Sequence, residues 1–280
     1  MTRIRPFAQV DVFGASPFSG NPVAVVLDAT DLTDEAMQAL ARWTNLSETT
    51  FVLPPTTPDA DYRVRILTPG GELPFAGHPT LGTAHAWLKS GGRPRDPGAI
   101  VQECAAGLVE VRREEGRLSF AAPPLLREGP VEEEDLAPVR EALELAPEEV
   151  IGHQWVDNGP GWLVVEVASD ERVRGLNPDL SLLPEAKLGV IGFHPQGSEV
   201  LYETRAFAPG AGVAEDPVTG SLNAGVAQWL VREGRVPGRW TVAQGGCIGR
   251  AGRLTIEADD GCTVWVGGTT RTLVRGSIEL

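Results

Sequence analysis

The sequence predicts an α+β protein of two related lobes, each with a curved sheet wrapped around one buried helix. Three observations lead to this prediction: the length of 280 residues, an internal repeat at half that length, and one apolar helix in each half. At about 150 residues per domain, the length already favours two domains over one.

The internal repeat is clearest where a strand ends in a Pro-Gly turn. The stretch RILTPGG begins at Arg65, and RAFAPGA begins 140 residues later at Arg205. Each runs through a polar residue and a proline into a helix of small residues, and both helices end in Trp-Leu, at 87–88 and 229–230. A weaker match, NPVAVV against PGWLVV, lies nearer the start of each half. Three matches in one order indicate a duplicated architecture.

Strands are predicted where Val, Ile, Phe and Tyr are concentrated. In the first half these stretches are 7–13, 22–27, 50–53, 62–67, 99–104, 108–113 and 117–121. In the second half they are 161–167, 199–206, 240–244, 253–257, 263–266 and 271–280. Helices are predicted over 33–43, 80–90, 132–145 and 222–232, the first with Thr33 as its N-cap.

Two of these helices, 80–90 and 222–232, are apolar or small almost all round, which is typical of a helix buried on every side. One such helix in each half indicates a helix enclosed by a curved sheet. Gly82 and Gly225 would each cost about 1 kcal/mol relative to alanine in a helix interior. We therefore expect close backbone packing at both glycines.

Composition and charge exclude several classes of protein. A formal net charge of -14 argues against a nucleic-acid or anionic-membrane partner, since such surfaces attract basic patches. The three cysteines are widely spaced, so neither a disulfide framework nor a thiolate zinc site is indicated, and the histidines form no metal-binding pair. The first residues alternate as in a strand and no apolar run reaches about 18 residues. A cytoplasmic location fits best.

The starts of the two buried helices are candidate anion sites. Two-fold pseudo-symmetry could bring both N-termini to a cleft between the lobes, where backbone N–H groups and helix dipoles favour a substrate carboxylate. The small residues there that would let a ligand approach are Gly77, Thr219, Gly220 and Ser221. The alternative interpretation is that Ser221 and the nearby Asp216 are only N-caps.

Five stretches spread along the whole chain closely resemble the phenazine-biosynthesis PhzF-like family. They are DVFGASPFSGNPVAVV, NLSETTFV, TPGGELPFAGHPTLGTAHAWL, EDPVTGSLNAG and QGGCIGR. The resemblance implies the diaminopimelate-epimerase fold: two pseudo-symmetric lobes, each a mostly antiparallel, barrel-like sheet around a central helix, with the active site in the cleft, usually in a homodimer. The prolines and acidic run of APPLLREGPVEEED predict a boundary near residue 125, so the lobes are expected at 1–125 and 126–269. The resemblance implies that a strand over 270–280 completes the first lobe.

The resemblance also assigns roles to four positions. Glu48 stands where the family has its general acid/base, in N-L-S-E-T. His78 of G-H-P, Asp216 of E-D-P and Ser221 of T-G-S match residues that surround the substrate and assist binding and proton transfer. Related racemases use two cysteines at the helix starts, but no cysteine lies at either start in this chain. Two-thiol racemisation is therefore disfavoured.

The expected function is isomerisation by proton transfer at carbon, without cofactor or metal, on a small substrate that carries a carboxylate. Positioned acid/base groups contribute on the order of 10² to 10⁴-fold to such reactions. The family's namesake isomerises dihydro-3-hydroxyanthranilate. Two alternatives stay open: an amino-acid epimerase using Glu48 with Asp216 or His78, and a non-catalytic carboxylate-binding protein. Retention of all four matched residues favours an enzyme.

Overall fold

The computed structural model describes residues 2–114, 116–236, 238–261 and 263–280. It divides into two compact units, unit 1 (Met1–Ala121 with Gly267–Leu280) and unit 2 (Ala122–Val266). Among the described residues, no helix has the length and apolar character needed to cross a membrane.

Runs of strands are separated by single helices along the chain. The strands are β1 (Ile4–Val12), β2 (Asn21–Val26), β3 (Glu48–Leu53), β4 (Tyr62–Thr68), β5 (Gly71–Leu73), β6 (Ala99–Cys104), β7 (Gly107–Glu114), β8 (Arg117–Ala121), β9 (Arg127–Gly129), β10 (Gly152–Asp157), β11 (Leu163–Glu166), β12 (Leu188–Phe193), β13 (Tyr202–Phe207), β14 (Arg239–Gln244), β15 (Gly252–Ala258), β16 (Val264–Gly268) and β17 (Thr270–Glu279). The helices are α1 (Asp34–Thr44), α2 (Gly77–Lys89), α3 (Glu133–Ala142), α4 (Asp170–Gly175) and α5 (Gly220–Arg232).

Strand pairing repeats between the units. In unit 1, β1 pairs antiparallel with β2, β2 parallel with β3, β3 antiparallel with β4, β4 parallel with β6 and β6 antiparallel with β7. In unit 2 the same alternation runs from β10 through β11, β12, β13 and β14 to β15. The repeat seen in the sequence is therefore also a repeat of topology.

Each unit wraps its sheet around one helix. In unit 1, α2 contacts β1, β2, β3, β6, β8 and β17, which include strands from both ends of the sheet. In unit 2, α5 contacts β10 and β15. A helix touched by distant strands of one sheet requires that the sheet curve around it. The predicted α+β fold, a mostly antiparallel curved sheet around a buried helix in each half, is confirmed.

The glycines inside α2 and α5 lie where a side chain would not fit. A Cβ at Gly82 would lie 2.3 Å from Cγ1 of Val23, and one at Gly225 would lie 2.4 Å from the carbonyl oxygen of Val156. The close packing predicted at both glycines is present. It lets each helix approach its sheet more closely than alanine would.

Several elements begin earlier than the sequence predicts, and three of them carry or adjoin the candidate site residues. Strand β3 begins at Glu48 instead of residue 50, α2 at Gly77 instead of 80, and α5 at Gly220 instead of 222. Glycine and proline at the helix starts disguise these boundaries, but a first helical turn tolerates both because its N–H groups have no intrahelical partner. His78 thus lies inside the first turn of α2.

Candidate active site

Glu48 lies in unit 1 at the first position of β3. Helix α1 ends four residues earlier with Asn45 as its C-cap, which adopts the left-handed conformation with φ of 52° and turns the chain toward the strand. The parallel register of β2 and β3 places Glu48 beside Val23. Its side chain is 14% exposed, so the carboxyl group is mostly withdrawn from water.

His78 lies next to Glu48 and is almost fully buried. The distance from Nε2 of His78 to Oε2 of Glu48 is 3.2 Å. Burial lowers the pKa of His78 to about 3, although a hydrogen bond from its ring to the backbone of Pro22 acts in the opposite direction. The imidazole is therefore neutral near pH 7, and its contact with Glu48 is not an ion pair.

The hydrogen bond to Pro22 determines which nitrogen of His78 carries the proton. Proline has no backbone N–H, so His78 must donate to the Pro22 carbonyl. Because Nε2 faces Glu48, the donating nitrogen is Nδ1. In a neutral ring Nε2 then carries the lone pair. Nε2 therefore has no proton to donate to the Glu48 carboxyl group, 3.2 Å away.

Buried polar contacts hold the first turns of α2 against the sheet. Gln102 donates from Nε2 to the Thr80 hydroxyl at 2.9 Å and accepts from the Tyr62 hydroxyl at 3.0 Å. The Thr83 hydroxyl donates to that of Thr50 at 2.8 Å, which joins α2 to β3. Buried and mutually satisfied, these groups position His78 rigidly relative to Glu48.

Asp216 and Thr219 lie at the start of α5 in unit 2. Thr219 is the N-cap residue, but its hydroxyl donates to Oδ2 of Asp216 at 2.5 Å and makes no capping bond. Asp216 lies three residues before the N-cap, and Ser221 is the second helical residue. The interpretation of Asp216 and Ser221 as N-caps is therefore wrong.

Ser221 is held by side chains from elsewhere in unit 2. Its hydroxyl accepts from the indole N–H of Trp162 at 2.9 Å, and its carbonyl accepts from the side-chain amide of Asn158 at 2.8 Å. With the oxygen engaged as an acceptor, the hydroxyl proton can be donated to another group.

Gln244, the last residue of β14, is a site residue that sequence reasoning missed. It is 1% exposed and its amide contacts Thr219, Asn223 and the backbone of Asp216. A signal for it was available, because Gln244 is the first residue of QGGCIGR, one of the five stretches that carry the resemblance.

Both helix starts are suited to bind an anion. The N-cap residues Ala76 and Thr219 make no side-chain capping bond at the starts of α2 and α5. First-turn N–H groups and the positive end of the helix dipole together favour a carboxylate. Gly77 and Gly220 begin the two helices, so each start combines these donors with a residue that has no side chain.

Cysteine and metal chemistry have few candidate residues here. Cys104 is buried at the end of β6, Cys247 lies in the turn after β14, and Cys262 falls outside the described residues. No group of three or more His, Cys, Asp or Glu side chains in the described part of the chain is arranged to hold a metal ion.

Comparison with known proteins identifies the family to which this chain is similar. A family model described as phenazine biosynthesis-like protein matches residues 10–277. Antisense-enhancing sequence 1 of Schizosaccharomyces pombe is 36% identical, with 96% of this chain and 97% of the relative covered. Trans-2,3-dihydro-3-hydroxyanthranilate isomerase of Pseudomonas aeruginosa is 37% identical, with 90% of each chain covered.

Solved structures agree with the sequence relatives. A phenazine biosynthesis protein of the PhzF family from Enterococcus faecalis is 26% identical with a TM-score of 0.81, covering 99% of this chain and 100% of that one. A hydroxyproline epimerase from Agrobacterium vitis shares the fold at 14% identity, with a TM-score of 0.63 and coverage of 99% and 93%. The chain therefore belongs to the phenazine biosynthesis-like family of PhzF isomerases.

Proposed function

We propose that the protein is a cofactor-independent isomerase that moves a proton between carbon atoms of a small substrate carrying a carboxylate. In this proposal Glu48 is the general acid/base, and His78 and Asp216 assist the proton transfer. Gly77, Thr219, Gly220 and Ser221 bind the substrate. The working form is a homodimer, as the family resemblance implies, and the widely spaced cysteines fit a cytoplasmic location.

The contact between Glu48 and His78 carries the proposal. A neutral His78 that donates to Pro22 offers only a lone pair to Glu48, 3.2 Å away. The contact therefore favours a protonated carboxyl group, which can give a proton to a substrate carbon. After donation, the carboxylate can take a proton from another carbon and return to its starting state, so one residue completes a cycle.

The two helix starts support the choice of substrate. Their N-cap residues, Ala76 and Thr219, make no side-chain capping bond, and each helix begins with a glycine, Gly77 or Gly220. Ser221 adds a hydroxyl whose oxygen is already engaged by Trp162. These groups donate hydrogen bonds, which suits a carboxylate and not an ammonium group.

The proposal is tested with trans-2,3-dihydro-3-hydroxyanthranilate, the compound named for the Pseudomonas aeruginosa relative. Proton NMR in heavy water follows its conversion and the incorporation of deuterium at carbon. Glu48→Gln keeps the size of the side chain and removes its transferable proton, so we expect a rate loss on the order of 10² to 10⁴-fold. Glu35→Gln, on the exposed face of α1, is the matched control and should keep the full rate.

Binding is measured separately through the melting temperature. The compound should raise it equally in wild type and in Glu48→Gln, which shows that the variant is folded and binds. Equal rates in wild type and Glu48→Gln would refute the role of Glu48. Deuterium exchange into D- or L-amino acids, without conversion of the test compound, would replace the isomerase by an epimerase.

A further inference from the structure

The hydrogen bonds around Asp216 have one consistent direction. Three side chains of unit 2, Gln244, Asn223 and Thr219, form a buried cluster at the start of α5. Each contains a donor and an acceptor, so the direction of each bond must be derived from a partner that can play only one role. The backbone supplies three such partners.

Backbone groups determine the orientation of the Gln244 amide. The N–H of Thr219, which can only donate, lies 2.9 Å from Oε1, and the carbonyl of Asp216, which can only accept, lies 3.0 Å from Nε2. Asn223 agrees: it donates from Nδ2 to the Thr219 carbonyl at 2.9 Å and, with the same group, to Oε1 of Gln244 at 2.9 Å. The amide oxygen therefore faces two donors, and the amide nitrogen faces acceptors.

The hydroxyl of Thr219 links Gln244 to Asp216, so the orientation of the Gln244 amide influences the direction of the bond to Asp216. Nε2 of Gln244 lies 2.8 Å from Oγ1 of Thr219, and since an amide nitrogen cannot accept, the hydroxyl accepts there. The single proton of that hydroxyl is left for Oδ2 of Asp216, 2.5 Å away. Accepting this bond stabilises the ionised form of Asp216, because a hydrogen bond donated to a carboxylate favours its charged state.

We propose that Gln244 is a positioning residue that acts through Thr219 to hold Asp216 as an ionised hydrogen-bond acceptor. The part of this inference that assigns Asp216 a task in turnover rests on the proposed function; the direction of the bonds does not. Asp216 and Glu48 then begin the reaction in opposite states, one able to accept a proton and the other to donate one. The adjacent Glu215 is engaged by Arg205 at 2.7 and 3.0 Å, so its charge is balanced separately.

The first test measures the ionisation of Asp216 and needs no substrate. The protein is labelled with ¹³C at aspartate carboxyl carbons, and the Asp216 signal is assigned by its loss in Asp216→Asn. Thr219→Val removes the donated bond, so Asp216 should titrate about one pH unit higher, because its charged form loses a hydrogen bond. Thr219→Ser keeps the hydroxyl and should titrate as wild type does. Equal midpoints for wild type and Thr219→Val would overturn the proposal.

The role of Gln244 is tested by replacing its amide nitrogen, a donor, with a carboxylate oxygen, an acceptor. Gln244→Glu places an acceptor opposite Thr219, which should draw the hydroxyl proton away from Asp216 and raise the titration midpoint. The added negative charge acts in the same direction, so the substitution is also made in the Thr219→Val background, where only the charge effect remains. A larger shift with Thr219 present supports the relay, and equal shifts in the two backgrounds refute it.

A second substitution at the same position tests the proposal if Gln244→Glu does not fold. Gln244→Met adds no charge and removes the donor that directs the Thr219 hydroxyl. We expect a shift in the same direction as that of Thr219→Val but smaller. No shift in a folded Gln244→Met protein would remove Gln244 from the proposal.

Turnover of trans-2,3-dihydro-3-hydroxyanthranilate separates this inference from the proposed function. If Asp216 takes part in the reaction as an acceptor, the acidic limb of the kcat/KM profile should move with the carboxyl titration in Thr219→Val. A carboxyl shift without a change in the rate profile would uphold the direction of the bonds and refute the task of Asp216 in turnover.

Discussion

The contact between Gly82 and Val23 sets how closely α2 approaches β2, and we expect it to control both stability and the Glu48–His78 distance. Gly82 follows His78 by one helical turn on the same face of α2, and Val23 lies beside Glu48 in the register of β2 and β3. A wedge between Gly82 and Val23 should therefore also separate His78 from Glu48. Gly82→Ala supplies that wedge.

The expected cost follows from the geometry. The new methyl would lie 2.3 Å from Cγ1 of Val23, well inside the roughly 3.5 Å at which carbon atoms attract. Overpacking of this kind costs about 1–3 kcal/mol, against about 1 kcal/mol gained in helix propensity. The net expectation is a loss of about 1 kcal/mol in the free energy of unfolding. Val23→Ala alone should cost about 2 kcal/mol, from two lost methyl groups at about 0.8 kcal/mol each plus a cavity.

Urea unfolding of the two single variants and the double variant measures the coupling. In the double variant the methyl of residue 82 fills space vacated at residue 23, so it should be at least about 1 kcal/mol more stable than the sum of the single effects predicts. Conversion of the test compound should fall in Gly82→Ala and recover in the double variant. Additive free energies would refute the reasoning.

Gly225→Ala with Val156→Ala is the matched control in unit 2. There the new methyl would meet the carbonyl oxygen of Val156 at 2.4 Å, and truncating the side chain does not remove that oxygen. The control pair should therefore show little rescue.

Two further outcomes concern charges. His78 is neutral in the folded protein, where its pKa is lowered to about 3, so the unfolded chain binds one more proton as the pH falls below about 6.5. This difference should lower the free energy of unfolding of wild type by up to about 1.4 kcal/mol per pH unit. Thermal unfolding of His78→Gln between pH 7 and 4 should show a smaller loss. In urea unfolding, Glu215→Gln should cost about 3 kcal/mol, because it leaves Arg205 charged and only 8% exposed. Glu128→Gln, at the exposed ion pair with Arg232, should cost under about 1 kcal/mol. Equal losses would contradict this ranking.

Features that depend on local sequence were predictable. The buried helices were evident because their residues are small or apolar all round. Thr33 was identified as an N-cap from its residue type and the acidic first turn, and its hydroxyl accepts from the N–H of Ala36 at 3.3 Å. Such signals are local, since they need only the residues of one helix.

The sequence does not predict strand β12, because the packing that explains its two glycines is tertiary. Its sequence LGVIGF contains Gly189 and Gly192, which weaken a strand prediction. A Cβ at Gly189 would lie 2.5 Å from Leu222 of α5, and one at Gly192 would lie 2.3 Å from the carbonyl of Ser169. These glycines make room for neighbouring elements that a single stretch of sequence cannot reveal.

The candidate site likewise has a part that the sequence predicts and a part that depends on tertiary packing. The assignment of Glu48, His78 and Asp216 rests on a family resemblance, which carries tertiary information. The hydrogen bond of His78 to Pro22 depends on how α2 docks on β2, and the role of Gln244 depends on the parallel pairing of β13 with β14. The first arrangement leaves no pattern in the residues nearby, and the only sequence signal for the second is the stretch QGGCIGR, which begins at Gln244.

Strand β17 has a consequence for how the protein is made. It pairs with β1 from Ile4 to Val12, and two of its threonines, Thr270 and Thr272, hold both ring nitrogens of His85 on α2 at 2.9 and 3.0 Å. Every residue of unit 2 is synthesised before β17. During translation β1 therefore keeps one unpaired edge until β17 has been made, and that edge is exposed to chaperones or to other nascent chains.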